Sequence, residues 1–305
     1  MPVFEMKKAV ALLLALAFMV WFSRLASAHV GTTIYVQNVD PGAITIDGLN
    51  DDWLSAGYEV TFTQDDMEDV LGGEMQPLDD FACVGYCGWS LPPDNMLYWF
   101  IGVTDDIHNA DTPSDGARYR DDCIAMGIDA DHSGGNYRQG THGEQAQELG
   151  FLPDPSPGLV QCYHWGDPAL QWIVREPYCY VAFYIDDLPN YNFEGKMAIW
   201  DRADVAGPEA SQRHILTAGE TIGWVICIDD VDERPDTRDC QPGLQGSEGG
   251  RSWTDASQFN DAVLLSPTPV EPSTWGGIKA LFEYCLLYTS PSPRDLSTSR
   301  MPSSA

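Results

Sequence analysis

The sequence predicts an all-β protein, an antiparallel β-sandwich of the jelly-roll type with long acidic loops. Segments of alternating or continuous apolar character recur along the chain, whereas helix signals are scarce. Connections rich in Gly, Pro, Asn and Asp separate these segments, and such residues are typical of turns. Several predicted strands end in paired carboxylates. Many short strands joined by long polar loops favour a sandwich over an alternating α/β fold.

The first predicted element is a secretory signal at residues 1–28. Lys7 and Lys8 precede an apolar run, and the small residues at 26–28 form a cleavage site. The run is too short for a membrane span, and no other span is predicted. We therefore expect a secreted, periplasmic or cell-surface protein that begins at His29. An N-terminal His can chelate copper through its amine and imidazole. No second His stands in a recognisable relation to it in the sequence, so a chance position is the favoured interpretation.

Residues 29–266 are predicted to form the sandwich. The predicted strands, in chain order, are Thr32–Val39, Ala43–Asp47, Glu59–Thr63, Met96–Thr104, Cys123–Ile128, Tyr178–Ile185, Lys196–Trp200, Thr221–Ile228 and Ala262–Leu265. Met96–Thr104 is apolar on both faces, which indicates a central strand. Gln145–Leu149 is predicted to form one helical turn.

The C-terminal part of the sequence is of a different character. Residues 267–284 read as a Pro/Thr linker followed by a short amphipathic tail. Residues 285–305 are rich in Ser and Pro and have no hydrophobic period. They resemble a translated sequencing adaptor, so we predict that this segment is a non-native artefact.

The charge balance restricts the class of partner. The chain has 46 acidic and 16 basic residues, and its formal net charge is −30 at pH 7. Such a surface repels nucleic acid and anionic lipid, and it is suited to binding cations.

Seven cysteines precede the C-terminal segment, and in an exported protein they predict disulfides. The favoured pairings are local: Cys83–Cys87, Cys162–Cys179 and Cys227–Cys240. Cys123 is then left over and is predicted to be buried in its strand. A zinc site is the rival interpretation, but no second close Cys pair or nearby His supports it.

Two acidic strand ends are candidate calcium sites. The first presents oxygen ligands at alternate positions: Asp129, Asp131 and Ser133. The twelfth position of this loop is Gly140 rather than Glu, so it is not a complete helix–loop–helix calcium loop. The second acidic strand end contains Asp229, Asp230 and Asp232. The alternative for both is a solvated turn, which an acidic protein has in plenty.

Four motifs together carry a family resemblance. They are ITIDGLNDDW at 44–53, LYWFIGVTDD at 97–106, YRDDCIAMGIDADHSGGNY at 119–137 and GETIGWVICIDDVDE at 219–233. In this order they resemble the family-nine carbohydrate-binding module and its sugar-binding β-sandwich relatives. The resemblance implies a β-sandwich, a structural calcium ion and a sugar site built from aromatic side chains. The Cys-containing segment Phe151–Cys179 departs from the family pattern.

Sugars bind by stacking their C–H faces on flat aromatic rings, so tryptophans in loops are the informative ones. We predict that Trp165 and Trp172 form a stacking pair, with Trp89 as a third platform and Tyr163 beside them. A structural role for each is the alternative. Trp53 is predicted to pack in the core. The expected partner is a poly- or oligosaccharide.

Other function classes find less support. No catalytic motif is present, which predicts a protein that is not an enzyme, though an accessory role in a glycoside hydrolase system stays open. Related sandwiches bind haem, and His164 or His214 with Met126 is the candidate ligand set here. A structural or adhesion domain that binds no glycan is the remaining alternative.

Overall fold

A computed structural model of the protein describes residues 29–110, 117–153, 160–185, 189–232, 238–244 and 251–267. The predicted signal peptide, the amphipathic tail and the adaptor-like segment lie outside the described residues, as does all but the first residue of the predicted linker. Within the described ranges no helix has the length and apolar character that crossing a membrane requires.

The described residues form fifteen strands and one α-helix. The first eight strands are β1 (Ile34–Asn38), β2 (Phe62–Thr63), β3 (Met67–Asp69), β4 (Phe81–Trp89), β5 (Leu97–Asp105), β6 (Cys123–Asp129), β7 (Gln147–Pro153) and β8 (Val160–His164). The others are β9 (Cys179–Tyr184), β10 (Tyr191–Met197), β11 (Trp200–Arg202), β12 (Gln212–Arg213), β13 (Thr221–Asp229), β14 (Pro242–Leu244) and β15 (Asp261–Leu264). The helix, α1, is Asp51–Ala56.

Two sheets, here called sheet A and sheet B, share β1. Sheet A has the strand order β8-β7-β6-β13-β15-β1, and sheet B has the order β1-β4-β5-β10-β9. Strand β2 pairs with β4, β14 pairs with β13 and β3, and β11 and β12 form a separate hairpin. All pairings are antiparallel except those of β1, which runs parallel to both β15 and β4.

The two sheets pack face to face. The rings of Trp99 on β5 and Phe151 on β7 lie 4.9 Å apart, and both side chains are fully buried. Because side chains alternate along a strand, residues next to these in sequence point to the outer faces. The predicted all-β sandwich is therefore confirmed, and Met96–Thr104 corresponds to a central strand of sheet B.

Helix α1 covers the outer face of sheet B. Its Trp53 is fully buried, which confirms the predicted core position, and the ring lies 5.6 Å from that of Tyr86 on β4. Gly57 ends the helix in the left-handed conformation that glycine adopts without strain.

Strand β4 was not predicted, because its sequence FACVGYCGW contains two glycines and a disulfide between Cys83 and Cys87 was expected within it. The glycines are required by packing. A Cβ atom at Gly85 would lie 2.1 Å from the ring of Phe62, and one at Gly88 would lie 2.6 Å from Val39. Glycine in a strand often marks such a close approach.

None of the three predicted disulfides is present among the described residues. Among the described residues all seven cysteines are free thiols. Cys83 and Cys87 lie four residues apart on β4, about 13 Å along a strand, whereas bonded cysteines have Cα atoms about 4.4–6.8 Å apart. Cys227 and Cys240 are not opposite each other. Cys227 lies opposite Gly243, whereas Cys240 lies opposite Asp230, which follows Cys227 by three residues.

The third pair differs. Cys162 and Cys179 are thiols in hydrogen-bond contact, and the bond with Cys179 lowers the pKa of Cys162. Cys123 is fully buried in β6, as predicted, and donates to Asp229.

The predicted helical turn Gln145–Leu149 is also wrong. Gln147–Leu149 belong to β7, which is paired on both sides, with β6 and with β8. Ala43–Asp47, predicted as a strand, forms a turn and irregular backbone before α1.

Candidate functional site

A cavity of about 570 Å³ lies on the outer face of sheet A. Its floor is formed by outward-facing positions of β6, β7 and β13. These are mostly small or apolar residues, with two acids: Ala125, Gly127, Glu148, Val225, Cys227 and Asp229. We call this cavity the groove.

Aromatic rings and arginines form the walls of the groove. The guanidinium of Arg138 lies 4.5 Å from the ring centroid of Trp253, and that of Arg238 lies 4.9 Å from Tyr119. Trp253 is 52% exposed and Tyr119 is 41% exposed, so each ring is accessible to a ligand. A cation over an aromatic face holds both groups in place.

Trp165 forms a third wall. It follows β8, and its ring packs so closely on β7 that a Cβ atom at Gly150 would lie 2.4 Å from it. The ring of Tyr163 meets Trp165 edge-on at 6.3 Å, and the guanidinium of Arg118 lies 4.0 Å from the centroid of the Tyr163 ring. Two of the four predicted sugar-binding residues therefore lie together at this end of sheet A, with Trp165 lining the groove.

The two acids on the floor of the groove are paired with the wall arginines. Arg238 donates to Asp229 at 2.9 Å, and Arg138 donates to Glu148 at 3.4 Å. Burial raises the pKa of Glu148 to about 7, although Arg138 acts against the shift. The groove thus combines flat aromatic faces with planar polar side chains, the combination that a ring bearing several hydroxyls requires.

The other predicted platforms lie elsewhere. Trp172, in the 3-10 helix Pro168–Val174, packs edge-on against Trp200 at 4.8 Å and is half-buried in the core. Trp89 is fully buried, and its indole N–H donates to the carbonyl of Leu265 at 3.0 Å. A fully buried ring has no face for a sugar, so Trp89 is structural.

Trp253, Tyr119, Arg138 and Arg238 were not predicted from the sequence. Trp253, Arg138 and Arg238 stand in loops with no recognisable motif, and Tyr119 begins the motif at 119–137 but was given no role in it. The available signal was composition, because in a chain with only 16 lysines and arginines an arginine beside a loop aromatic is informative.

A second site lies at the end of the sandwich where β5, β6 and β13 meet. Carboxylates from these three strand ends converge there with loop acids and one histidine. The groups are Asp80, Asp105, Asp106, His108, Asp122, Asp230 and Asp232, in overlapping sets whose ligand atoms lie within 4.8 Å of one another. We call these residues the acidic cluster.

Carboxylates inside the acidic cluster are poorly compensated. Both oxygens of Asp230 and Oδ2 of Asp105 are buried without a hydrogen-bond partner. Burial, followed by repulsion from Asp105 and Asp232, raises the pKa of Asp230 to about 9. Burial and Asp122 raise the pKa of Asp105 to about 8. Buried carboxylate oxygens that lack donors are suited to a hard divalent cation, and the residues present fit calcium.

The six predicted metal ligands lie in three places: the acidic cluster, the groove, and the end of β6 with the loop that follows it. Asp230 and Asp232 belong to the acidic cluster, whereas Asp229 points to the groove and pairs with Arg238. Asp131 and Ser133 bond to each other within their loop, where Ser133 N–H donates to Asp131 at 3.2 Å.

Asp129, the remaining predicted ligand, is fully buried and already well bonded. It accepts bonds from the Gly134 amide and the Gln145 side chain, and Nε2 of His29 lies 3.0 Å from its Oδ2. Burial alone would raise the pKa of Asp129, but the bonds from His29 and Gly134 hold it below the ordinary value.

The candidate haem ligands are engaged in other contacts. The ring of His164 is buried against Gly143 and Gly166, and burial lowers its pKa to about 3. Nδ1 of His214 lies 2.5 Å from Asp201.

Comparisons with known proteins show the fold. No family model matches the chain, and no curated protein sequence matches it. Among solved structures, a family 9 carbohydrate-binding module from Caldicellulosiruptor kristjanssonii is similar, both in complex with cellotriose and in complex with glucose. Each match has a TM-score of 0.52 and 15% sequence identity, and covers 79% of this chain and 100% of the module. The resemblance to this family is thus found in the structure as well as in the sequence motifs.

Proposed function

We propose that this protein is a non-catalytic carbohydrate-binding module that binds an oligosaccharide or polysaccharide chain in the groove on sheet A. The observation that carries the proposal is the placement of two tryptophans, Trp165 and Trp253, as walls of one open cavity with paired arginines and acids between them. The similar solved structures support it, because those modules bind cellotriose and glucose.

The groove has separate parts for the two surfaces of a sugar. The rings of Trp165 and Trp253 offer apolar faces for the C–H surfaces of a pyranose. Arg138 and Glu148 offer planar donors and acceptors for its hydroxyls, and their mutual pairing fixes their orientation before a ligand arrives. Preorganised side chains reduce the entropy cost of binding.

The acidic cluster is proposed as a structural calcium site. Asp230 and Asp105 would supply the ligand oxygens that now lack donors, and Asp122 and Asp232 would complete the oxygen set. Asp105 ends a strand of sheet B and Asp230 follows a strand of sheet A, so one ion would join the two sheets. The ion would also offset the repulsion among buried carboxylates, which otherwise disfavours folding at neutral pH.

We further propose that the protein acts outside the cytoplasm after removal of residues 1–28. An acidic surface, calcium and sugar binding are compatible with that location.

Isothermal titration against a panel of oligosaccharides, with the calcium-loaded protein, tests the proposal. Trp165→Ala and Trp253→Ala should each reduce affinity about tenfold or more, since a stacked aromatic contributes on the order of 1–3 kcal/mol to an interface. The matched control is Tyr35→Ala, because Tyr35 is 59% exposed on β1, outside the groove, and should leave affinity unchanged.

The outcome separates the proposal from its rival. Binding that survives both tryptophan substitutions would place the sugar site outside the groove. If no glycan binds, the protein would instead be a structural or adhesion domain.

A further inference from the structure

The loop after β6 brings His132 to His29 and Asp261, at the opposite end of the outer face of sheet A from Asp229. Nε2 of His132 lies 2.8 Å from Oδ1 of Asp261, and Nδ1 of His29 lies 3.5 Å from the same oxygen. One ligand atom from each of the three residues lies within 4.8 Å of the other two. Neighbouring ligand atoms around a tetrahedral zinc ion are about 3.3 Å apart, given metal–nitrogen bonds of about 2.0 Å.

A buried carboxylate orients the first histidine. Nε2 of His29 lies 3.0 Å from Oδ2 of Asp129, which leaves Nδ1 directed towards Asp261 and His132. Asp129 is itself held by the Gly134 amide at 2.6 Å. Histidines that bind metals almost always donate their other ring N–H to such a group, which fixes the tautomer and the ring orientation.

The backbone around the histidines is adapted to this arrangement. His132 has a φ of 55°, a left-handed conformation that non-glycine residues rarely adopt. A Cβ atom at Gly223 would lie 2.4 Å from the His29 ring, so glycine is needed for that ring to lie on β13. Both features cost conformational freedom or strain, and both serve to place an imidazole beside Asp261.

We infer that His29, His132 and Asp261 form a binding site for a first-row transition-metal ion, Zn²⁺ or Cu²⁺. Two imidazole nitrogens with one carboxylate oxygen match the ligand preference of these ions, whereas calcium is bound through oxygen. The site is separate from the acidic cluster and does not depend on the proposed sugar binding. The ion would enter from the side of His132 and Asp261, whose side chains are 26% and 32% exposed.

The predicted signal cleavage would add a fourth ligand. Removal of residues 1–28 frees the α-amine of His29, and this amine together with Nδ1 of the same residue forms a chelate. With the amine the set has three nitrogens and one oxygen, a composition that favours Cu²⁺ over Zn²⁺ by the general order of divalent-ion affinities.

The test uses the chain that begins at His29, stripped of metal and titrated separately with ZnCl₂ and CuSO₄. We expect one tightly bound ion per chain, with nitrogen hyperfine structure in the electron paramagnetic resonance spectrum of the Cu²⁺ form. His132→Ala and Asp261→Asn should each lower the affinity at least tenfold, and Asp129→Asn should lower it about tenfold as an outer-shell change.

His214→Gln is the matched control. His214 also lies between two carboxylates, Asp201 and Glu220, and it should leave the tight ion in place. Circular dichroism of each metal-free variant verifies folding, and Asp261→Asn keeps the test valid if His132→Ala does not fold. Absence of a tight ion, or unchanged affinity in folded His132→Ala or Asp261→Asn, would overturn the inference.

One extra glycine placed before His29 tests the amine. The addition should weaken Cu²⁺ binding while the two imidazoles continue to bind. Unchanged Cu²⁺ affinity would show that the amine is not a ligand.

Discussion

The indole N–H of Trp53 donates to the carboxylate of Glu194 at 2.8 Å, a bond between residues 141 positions apart. Glu194 is fully buried on β10 and also accepts the amides of Asp47 and Gly48, at 2.8 and 3.0 Å. One side chain of the sheet thus holds the whole turn that precedes α1. The motif IDGLNDDW is therefore architectural, since its backbone and its tryptophan meet at a single carboxylate.

Trp53→Phe should lower the free energy of unfolding by about 2–3 kcal/mol. It removes a hydrogen bond to a buried carboxyl group and part of a buried ring. Urea unfolding followed by circular dichroism measures the change. Trp253→Phe, at a ring that is 52% exposed, is the control and should change stability by less than about 0.5 kcal/mol. Equal effects of the two substitutions would contradict the assigned role of Trp53.

The buried carboxyl of Glu148 should make the free energy of unfolding depend on pH. Its folded pKa of about 7 lies above the ordinary 4.5, so the folded state holds the proton more tightly than the unfolded chain. The stability due to this group is then complete below pH 4.5 and is lost as pH rises through 7, by about 1–3 kcal/mol.

Glu148→Gln checks this dependence. The variant should match the wild type near pH 5 and exceed its stability near pH 8, as measured by urea unfolding at both values. The control is Glu59→Gln, at an exposed carboxylate. This substitution should change the free energy of unfolding by the same amount at pH 5 and at pH 8. A wild-type pH profile that Glu148→Gln does not alter would argue against a buried carboxyl at the groove.

Calcium should stabilise the protein through the acidic cluster. EDTA should lower the melting temperature at pH 7.5, and added calcium should restore it. At a free calcium concentration one hundred times Kd, the free energy of unfolding should rise by about 2.7 kcal/mol. Because metal binding releases protons from carboxyls, the calcium effect should shrink towards pH 5. A melting temperature that neither EDTA nor calcium changes would remove the ion from the proposal.

Asp230→Asn assigns the calcium effect to the cluster. It should abolish most of the calcium shift. In EDTA it should raise the melting temperature, because folding at pH 7.5 must protonate Asp230, whose pKa is about 9, whereas Asn needs no proton. Asp65→Asn, at an exposed acid, should retain the full calcium shift. A calcium shift that persists in Asp230→Asn would place the ion elsewhere.

Gly150→Ala should weaken sugar binding without touching the ligand. The added methyl would lie 2.4 Å from the ring of Trp165 and would push that wall out of position. We expect about a tenfold loss of affinity by titration, with a modest loss of stability from overpacking. Gly42→Ala adds a methyl at an exposed turn and should alter neither property. Full affinity in Gly150→Ala would show that Trp165 does not stack on the sugar.

The sequence predicted the scaffold better than the sites. Most strands with continuous or alternating apolar character, such as Thr221–Ile228, are present within one or two residues, because that character directly reflects burial on two faces or on one. Strand β4 was missed since Gly85 and Gly88 lower strand propensity for a reason that only the packing of Phe62 and Val39 reveals. Strand β7 was missed because its pairing partners, not its own residues, decide its conformation.

The candidate sites were predicted only in part, for a related reason. Trp165 and Asp230 were identified because each stands in a recognisable local pattern. Trp253 and His132 reach their partners from more than one hundred residues away in sequence. No local sequence pattern predicts such long-range contacts, since they depend on which strands become neighbours.

The pairing of β1 with β15 has a consequence for the order of folding. Ile34 lies beside Ala262, so β1 can pair with β4 early in synthesis but gains its second partner, β15, only after more than two hundred further residues have been made. Contacts between residues so distant in sequence form slowly, because the conformational entropy of the intervening chain is lost before the contacts stabilise the fold. Sheet A and sheet B are therefore joined through β1 only late in synthesis, and until then the edge of β1 that faces β15 has no strand beside it.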